Sequence, residues 1–379
     1  MTNEELLKLA LHCNRCGTCR GVTQDAVPDP AFSTQCPSGM TFFGAYEPGG
    51  LMYIARGIAT GAFPWDETIA NYLFACTLCG YCDDLCSRGY RHTPAIAILE
   101  ELRRIVPQEL KPRGLKKAAQ SVRKPAADRL SVLKAYGLAD LSDSGTAETL
   151  IFCDRFLIAN GPKLRELGFL MKKSGKRAGF FGKDPLPPVD AILLNAGCQD
   201  VLEKSMKEID SRLNAHGVKQ VICYHPEALS VLRRFSRSGA DFIPVTRLYA
   251  EMLRKKPAKK LKLPAVTYQD PCHLGRYAQD YQSPRKVIAG LGFKLKEMWR
   301  SGNDSLCCGA GGSMLLANPK LARRYAVNRI EEARATGAKV IITACPNCMV
   351  NLKQAEPKAM KVVDITSLVA QAYGYKGKA

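Results

Sequence analysis

Cys13-Asn-Arg-Cys16-Gly-Thr-Cys19 and Cys76-Thr-Leu-Cys79-Gly-Tyr-Cys82-Asp-Asp-Leu-Cys86 decide how this chain is read. In each, three thiols recur at intervals of three, so one short loop presents three corners of an iron–sulfur cube. Zinc also takes Cys-x2-Cys pairs, but from two pairs separated by a longer loop, and the triplet is crowded for that. The spacing therefore predicts two cubane 4Fe–4S clusters in the first hundred residues.

A fourth ligand is still needed for each cube. In two-cluster ferredoxins it comes from the other motif, commonly as a Cys followed by Pro. Cys36-Pro37 offers that ligand to Cys76, Cys79 and Cys82, and Cys86 closes the Cys13, Cys16 and Cys19 set. Cys36 stands far from Cys19 in sequence, and Cys86 is followed by Ser87 instead of Pro. Neither departure removes a thiolate.

Composition sets the frame for these loops. A chain of 379 residues, 46% apolar and 24% charged, has the makings of several packed domains and excludes a disordered or collagenous polymer. Its longest apolar runs, such as Ala191–Leu194 and Val340–Thr343, are strand-sized and far short of the ~20 residues of a membrane span. Thr2, Asn3, Glu4 and Glu5 resemble neither a basic signal region nor a transit peptide. A cytoplasmic protein is expected, or one held at the inner face of a membrane by a partner. Sixteen cysteines in such a compartment point to metal or redox chemistry, not disulfides.

The formal charge of +20 is uneven: residues 1–100 carry −4 and the remainder +24. Basic residues cluster at Lys111, Arg113, Lys116 and Lys117, at Lys172, Lys173, Lys176 and Arg177, and at Arg254, Lys255, Lys256, Lys259 and Lys260. Such clusters read as solvated faces or as a docking surface for an acidic partner. With 8% aromatic residues and no nucleic-acid motif, no nucleic acid is expected.

Along the chain, an opening helix capped by Asn3 with Leu6, Leu7 and Leu11 on one face leads into the cysteine loops. The predicted units are a cluster domain over 1–104, a Pro- and Lys-rich connector over 105–146, and α/β sequence over 147–260 and 261–379. Predicted strands are Thr149–Phe152, Ala191–Asn195, Gln220–Cys223, Ala265–Tyr268 and Val340–Thr343. Sliding the chain by 120 residues aligns 217–250 with 337–370 without a gap, pairing Pro226 with Pro346, Leu232 with Leu352 and Thr246 with Thr366. Two copies of one α/β unit about a pseudo-twofold follow. The second copy holds Cys272, the pair Cys307-Cys308 before Gly309, and Cys345-Pro-Asn-Cys348. Adjacent cysteines chelate one ion poorly, so a cluster with irons in different positions is the economical reading. The stretch Gly309–Ser313 lacks the spacing of a nucleotide loop.

Asp270-Pro-Cys-His-Leu-Gly-Arg276, Cys307-Cys-Gly-Ala-Gly-Gly312 and Cys345-Pro-Asn-Cys348, together with the amino-terminal triplets, resemble the heterodisulfide reductase type of iron–sulfur protein. That group includes the iron–sulfur subunits of glycolate and lactate oxidases, and the resemblance spans nearly the whole chain. It implies a mixed fold: a mainly α-helical two-cluster ferredoxin-type domain, then two pseudo-twofold, Rossmann-like α/β subdomains of the cysteine-rich (CCG) kind. It also implies that Cys272, Cys307, Cys308, Cys345 and Cys348 hold one noncubane 4Fe–4S cluster at which disulfides are reduced.

The first copy departs from the pattern. His225 stands where Cys345 does, Ala228 where Cys348 does, and only Cys153 matches a ligand, Cys272. That copy is expected to hold no cluster. Cys153, Cys198 and Cys223 then read as buried small hydrophobes, His273 as a proton donor beside Cys272, and His225 as a packing residue. The implied function is an iron–sulfur subunit passing single electrons through two cubanes to a disulfide-active site. The alternative is a pure relay in a flavin-dependent 2-hydroxyacid oxidase or a quinone-linked membrane complex. No flavin or nucleotide motif lies in this chain, so a flavoprotein or another redox subunit, or a membrane cytochrome, is the expected partner. A small thiol or disulfide is the expected substrate.

Overall fold

In the computed structural model, which describes residues 1–21, 29–88, 92–122, 130–142, 145–256, 258–355 and 360–377, the chain opens with helix Asn3–Leu11. Thr2, not Asn3, caps it: its hydroxyl accepts from Glu5 N and its own N–H donates to the Glu5 carboxylate. Leu6 and Ala10 form its buried stripe, while Leu11 is exposed. That stripe packs with helices Pro48–Ala59, Glu67–Ala75 and Ala95–Ile105 around a small core of Leu51, Met52, Ala55, Leu73 and Leu99. The cysteine loops hang on the ends of these helices. Cys36 precedes the short helix Pro37–Thr41, Cys76 caps the end of Glu67–Ala75, and Cys82 and Cys86 lie on helix Tyr81–Ser87.

Two parallel sheets follow. The strands β1 (Ala139–Asp140), β2 (Thr149–Phe152), β3 (Gly179–Phe180), β4 (Gln220–Cys223) and β5 (Asp241–Pro244) pair in the order β1-β3-β2-β4-β5. The second sheet has the order β6-β7-β8, from Val266–Gln269, Val340–Thr343 and Lys361–Asp364. All four residues of β6 and of β7 are buried, as expected of parallel strands covered on both faces. Gln220 pairs with Asp241 in the first sheet and Val340 with Lys361 in the second, an offset of 120 residues at both positions.

Several expectations need correction. Ala191–Asn195 is a helix: the Asp190 side chain accepts from Ile192 N, and all five residues are buried. An apolar run buried all round has no periodicity to tell helix from strand, and the Asp cap decides it. The strand expected over 265–268 sits one residue later, at β6. The stretch expected as a connector packs against the first sheet. Leu115, Ala119, Leu130, Leu133, Leu138 and Leu141 join the same core as β2, and β1 forms the edge of its sheet. Lys111 is buried, with Nζ donating to Ala196 O at 2.9 Å, so it is withdrawn from its basic cluster.

A buried charge network fixes the second sheet to the loops. Glu332 accepts from Arg300 N at 2.7 Å, Arg300 Nε at 3.1 Å and Arg329 Nη1 at 2.6 Å, and all three side chains are fully buried. Arg329 also donates to the Gln269 side-chain oxygen, whose amide donates to Leu306 O, one residue before the cysteine pair. Arg300 reaches the carbonyl of Thr34, beside the Cys36 loop. Glu332→Gln strands two guanidinium groups without a counter-charge. It should cost about 3–5 kcal/mol of stability, read from denaturant unfolding of the intact protein.

Candidate functional site

The two triplet loops are wound alike. Arg15 and Leu78, each just before the second cysteine, have φ of 60° and 45°; Gly17 and Gly80, just after it, have φ of 80° and 75°. Left-handed backbone at a non-glycine costs roughly 1–3 kcal/mol and persists where surroundings impose it. Alternating hands curl the chain into a concave nest whose N–H groups favour an anion. This is the shape a bulky, negatively charged inorganic core needs.

Around these nests the thiols gather in two groups. Cys13, Cys16, Cys19, Cys82 and Cys86 line one recess. Burial and the neighbouring Cys13, Cys36, Cys16 and Cys86 push Cys19 up to about 12. Cys36 neighbours Cys76 and Cys79, and burial pushes Cys76 up to about 12 as well. Cys82 stands between the groups, with Cys19, Cys76 and Cys79 all close.

The five carboxy-terminal cysteines also converge. Two of the three strands of the second sheet deliver cysteines at their carboxyl ends: Cys272 opens a helical turn after β6, and Cys345 and Cys348 start helix Pro346–Ala355 after β7. Helix amino termini favour thiolates. Hydrogen bonds from Cys307 and Cys348 pull Cys308 down to about 5. Burial works against the Cys345 thiolate, but Cys348 and His225 bring that thiol down to about 5 too. Cys307 meets Cys272 on one side and Cys79 on the other, so the second triplet touches the CCG pair directly.

Contact between the loops is close because Gly311 and Gly312 lack side chains. A Cβ on Gly311 would lie 2.4 Å from Thr77 O, and one on Gly312 2.8 Å from Cys76 O. Two buried arginines lock the junction. Arg103 donates to Leu73 O at 2.8 Å, Cys76 O at 2.6 Å and Gly312 O at 3.0 Å. Arg276 donates to Cys79 O at 2.8 Å and Ser305 O at 2.9 Å. Arg103 Nε and Arg276 Nη2 remain buried with no hydrogen-bond partner. Orphaned cationic donors beside unpaired thiols fit an anionic cluster rich in sulfide acceptors.

His273 and His225 are both held by neighbouring side chains. The His273 ring stacks on Tyr277 at 4.5 Å and shares a 2.7 Å hydrogen bond with Ser230, and burial brings it down to about 3. His225 is buried, 3.0 Å from Asp154 and close to Cys345. Burial opposes its charge, but the Asp154 carboxylate and the Cys345 sulfur raise it well above the usual imidazole range. Cys153 and Cys223 are pushed up by burial, as small hydrophobes would be. Arg103, Asp154 and Glu227 were not singled out by sequence. For Asp154 a signal existed, since it follows Cys153 as His273 follows Cys272; for Arg103 none did.

A cavity of about 280 Å³ opens at the carboxyl ends of both sheets. Asp154, His225 and Glu227 of the first copy face Ala310, Ser313 and Asn347 of the CCG loops across it.

Comparison with known proteins gives the same division. Residues 9–90 match the 4Fe-4S dicluster domain, and residues 266–353 the cysteine-rich domain. The chain is 26% identical to a subunit of the dihydromethanophenazine:CoB--CoM heterodisulfide reductase of Methanosarcina barkeri, covering 81% of this chain and 80% of that one. It is 24% identical to a subunit of the fumarate reductase (CoM/CoB) of Methanothermobacter marburgensis, covering 85% and 67%. To the probable glycolate oxidase iron-sulfur subunit of Bacillus subtilis it is 23% identical, covering 97% and 94%. The dicluster and cysteine-rich domains fit two cubane clusters and one noncubane cluster.

Gly311→Ala should drive the CCG loop off Thr77. The expected result is a loss of about 1–3 kcal/mol, as for other overpacked sites. Rapid-mixing spectroscopy should show slower electron passage from the dicluster half to the CCG site.

Proposed function

We propose that this chain, a heterodisulfide reductase-like iron–sulfur protein and an electron-transfer subunit of oxidoreductase type, cleaves or forms a small disulfide at its CCG site. The observation that carries the reading is the cavity against Ala310, Ser313 and Asn347. A relay cluster needs a short path in and out, not a chamber beside its cysteines.

In this reading Cys13, Cys16, Cys19 and Cys86 hold the outer cubane, and Cys76, Cys79, Cys82 and Cys36 the inner one. Cys272, Cys307, Cys308, Cys345 and Cys348 hold the noncubane cluster. When bound, the clusters supply single-electron steps. The chain supplies everything else. The Cys79–Cys307 contact brings the inner cubane loop against the CCG loop, and Arg103 and Arg276 fix that distance. Cleavage of a disulfide consumes two electrons and two protons, breaks one S–S bond and leaves two thiols. Electrons arrive through the dicluster half, and the cavity walls at Asp154, His225 and Glu227 offer hydrogen-bonding groups to the departing sulfur. His273, held by Ser230 and Tyr277, positions the helical turn that carries Cys272.

The equal strand register at a 120-residue offset supports two pseudo-twofold, Rossmann-like α/β subdomains, over about 147–260 and 261–379. The first shapes the chamber in place of a cluster. Similarity to subunits of heterodisulfide reductase, fumarate reductase and glycolate oxidase supports a complex in which another redox subunit, a flavoprotein or a membrane cytochrome, meets the dicluster domain. Among the described residues no helix is long and apolar enough to cross a membrane. A cytoplasmic place, or one at the inner membrane face through a partner, belongs to the same proposal.

Iron analysis of anaerobically purified protein should find about 12 irons per chain, from three four-iron clusters. Cys308→Ala should lose about four of them while both cubane signals persist. Adding small thiols to the oxidised protein should raise a new paramagnetic signal that this variant lacks. Full iron with spectra unmoved by a broad thiol panel would instead assign the chain a pure relay role.

A further inference from the structure

Helix Pro226–Phe235 of the first α/β copy meets both cysteine-bearing turns of the second. Ser230 shares a hydrogen bond with His273, beside Cys272, and Glu227 meets the side chain of Asn347, between Cys345 and Cys348. His225, at the start of that helix, stands next to Cys345. His225 and Cys345 are aligned positions 120 residues apart, each just before the proline that opens its helix. The two copies therefore set an imidazole and a thiol against each other at equivalent strand ends.

The ring is fixed from behind. Asp154 Oδ1 accepts from Leu157 N at 2.7 Å, which turns Oδ2 toward His225 Nδ1 at 3.0 Å. Phe156 lies beside the ring, with centroids 6.0 Å apart. Asp154 and His225 are 8% and 9% exposed. His225 Nε2 is buried and has no hydrogen-bond partner, although the Cys345 sulfur is close. A buried ring nitrogen left without a partner is costly and calls for a reason. A carboxylate at Nδ1 and a thiolate near Nε2 are both acceptors, so both ring nitrogens stand as donors. Resting on the assignment of Cys345 as a ligand, we infer that His225 is a positioning residue whose Nε2–H donates to Cys345 Sγ and raises the reduction potential of the CCG cluster. The step concerned adds one electron, arriving from the dicluster half, to the CCG site; no bond forms or breaks and no proton moves. Added charge falls partly on the ligand sulfurs, where a fixed donor stabilises it. The inference holds for a site that cleaves a disulfide and for a relay alike.

The test is Mössbauer spectroscopy of isotopically enriched holoprotein poised at a series of potentials, which sees every iron whatever its spin state. The CCG irons are those that Cys308→Ala lacks. His225→Leu keeps the bulk of the ring and removes its N–H. It should lower the CCG midpoint by tenfold in the one-electron equilibrium constant, about 59 mV, and leave the cubane midpoints unmoved. His225→Gln restores a neutral donor and should recover part of that shift, which packing alone would not do. A midpoint unchanged in both variants, a rise in place of the fall, or loss of the CCG irons from both variants overturns the inference. Cys345→Ala with its full iron complement overturns the ligand assignment beneath it, a failure read from the iron count and not from the midpoint.

Discussion

A loop that wraps a cluster gives up its own backbone ladder. Residues 73–80 turn so tightly around their cysteines that the carbonyls of Ala75, Cys76, Leu78 and Cys79 are satisfied by side chains from elsewhere. Buried carbonyls must find donors, because leaving one unmade costs about 1–3 kcal/mol. Here side chains from elsewhere serve: Arg103 for Leu73 and Cys76, Tyr325 for Ala75, Tyr277 for Leu78 and Arg276 for Cys79. Three of those four donors come from the carboxy-terminal α/β half. The cluster loop is therefore folded by the half it serves, and the closeness of Cys79 to Cys307 follows from that need.

The same constraint explains why the two copies of the α/β unit diverged. Only the second copy lends donors to the cluster loop through Tyr277, Arg276 and Tyr325. The first is free of that duty, and its strand ends hold His225, Ala228 and Asp154 where ligands stand in the other. Its sheet keeps the register of its twin, so the positions still point at the shared chamber. The strand ends of the first sheet thereby present polar groups to the CCG loops across the cavity.

Sequence revealed the chemistry more readily than the packing. Cysteine spacing is a local signal, and it named the thiols that the fold gathers. The 120-residue repeat was equally legible because β4 and β7 share both pattern and neighbours. Ala191–Asn195 misled, since a wholly buried run carries no periodicity and only Asp190 marked it as helical. The packing of the connector was less legible. Its Pro and Lys content marks a junction, but not that Leu115, Leu130 and Leu133 are fully buried in the core of the first sheet. Long-range partners such as Arg103 with Gly312 leave no trace in the local sequence.

Arg103 and Arg276 also bring positive charge into the buried junction. Their guanidinium groups are buried and spend their donors on carbonyls, which neutralise no charge, and each keeps one N–H unpartnered. A buried cation is costly unless negative charge stands near it. Burial alone brings Arg103 down to about 10, while the thiols of Cys79, Cys272 and Cys307 hold Arg276 above the usual range. The negative charge that faces these guanidinium groups is mostly cysteine sulfur, joined at Arg103 by Glu100. Set between the second triplet loop and the CCG loop, two fixed cations would favour added negative charge on whatever group the two loops hold. The residues that hold the halves together would thus also favour a reduced state at that junction.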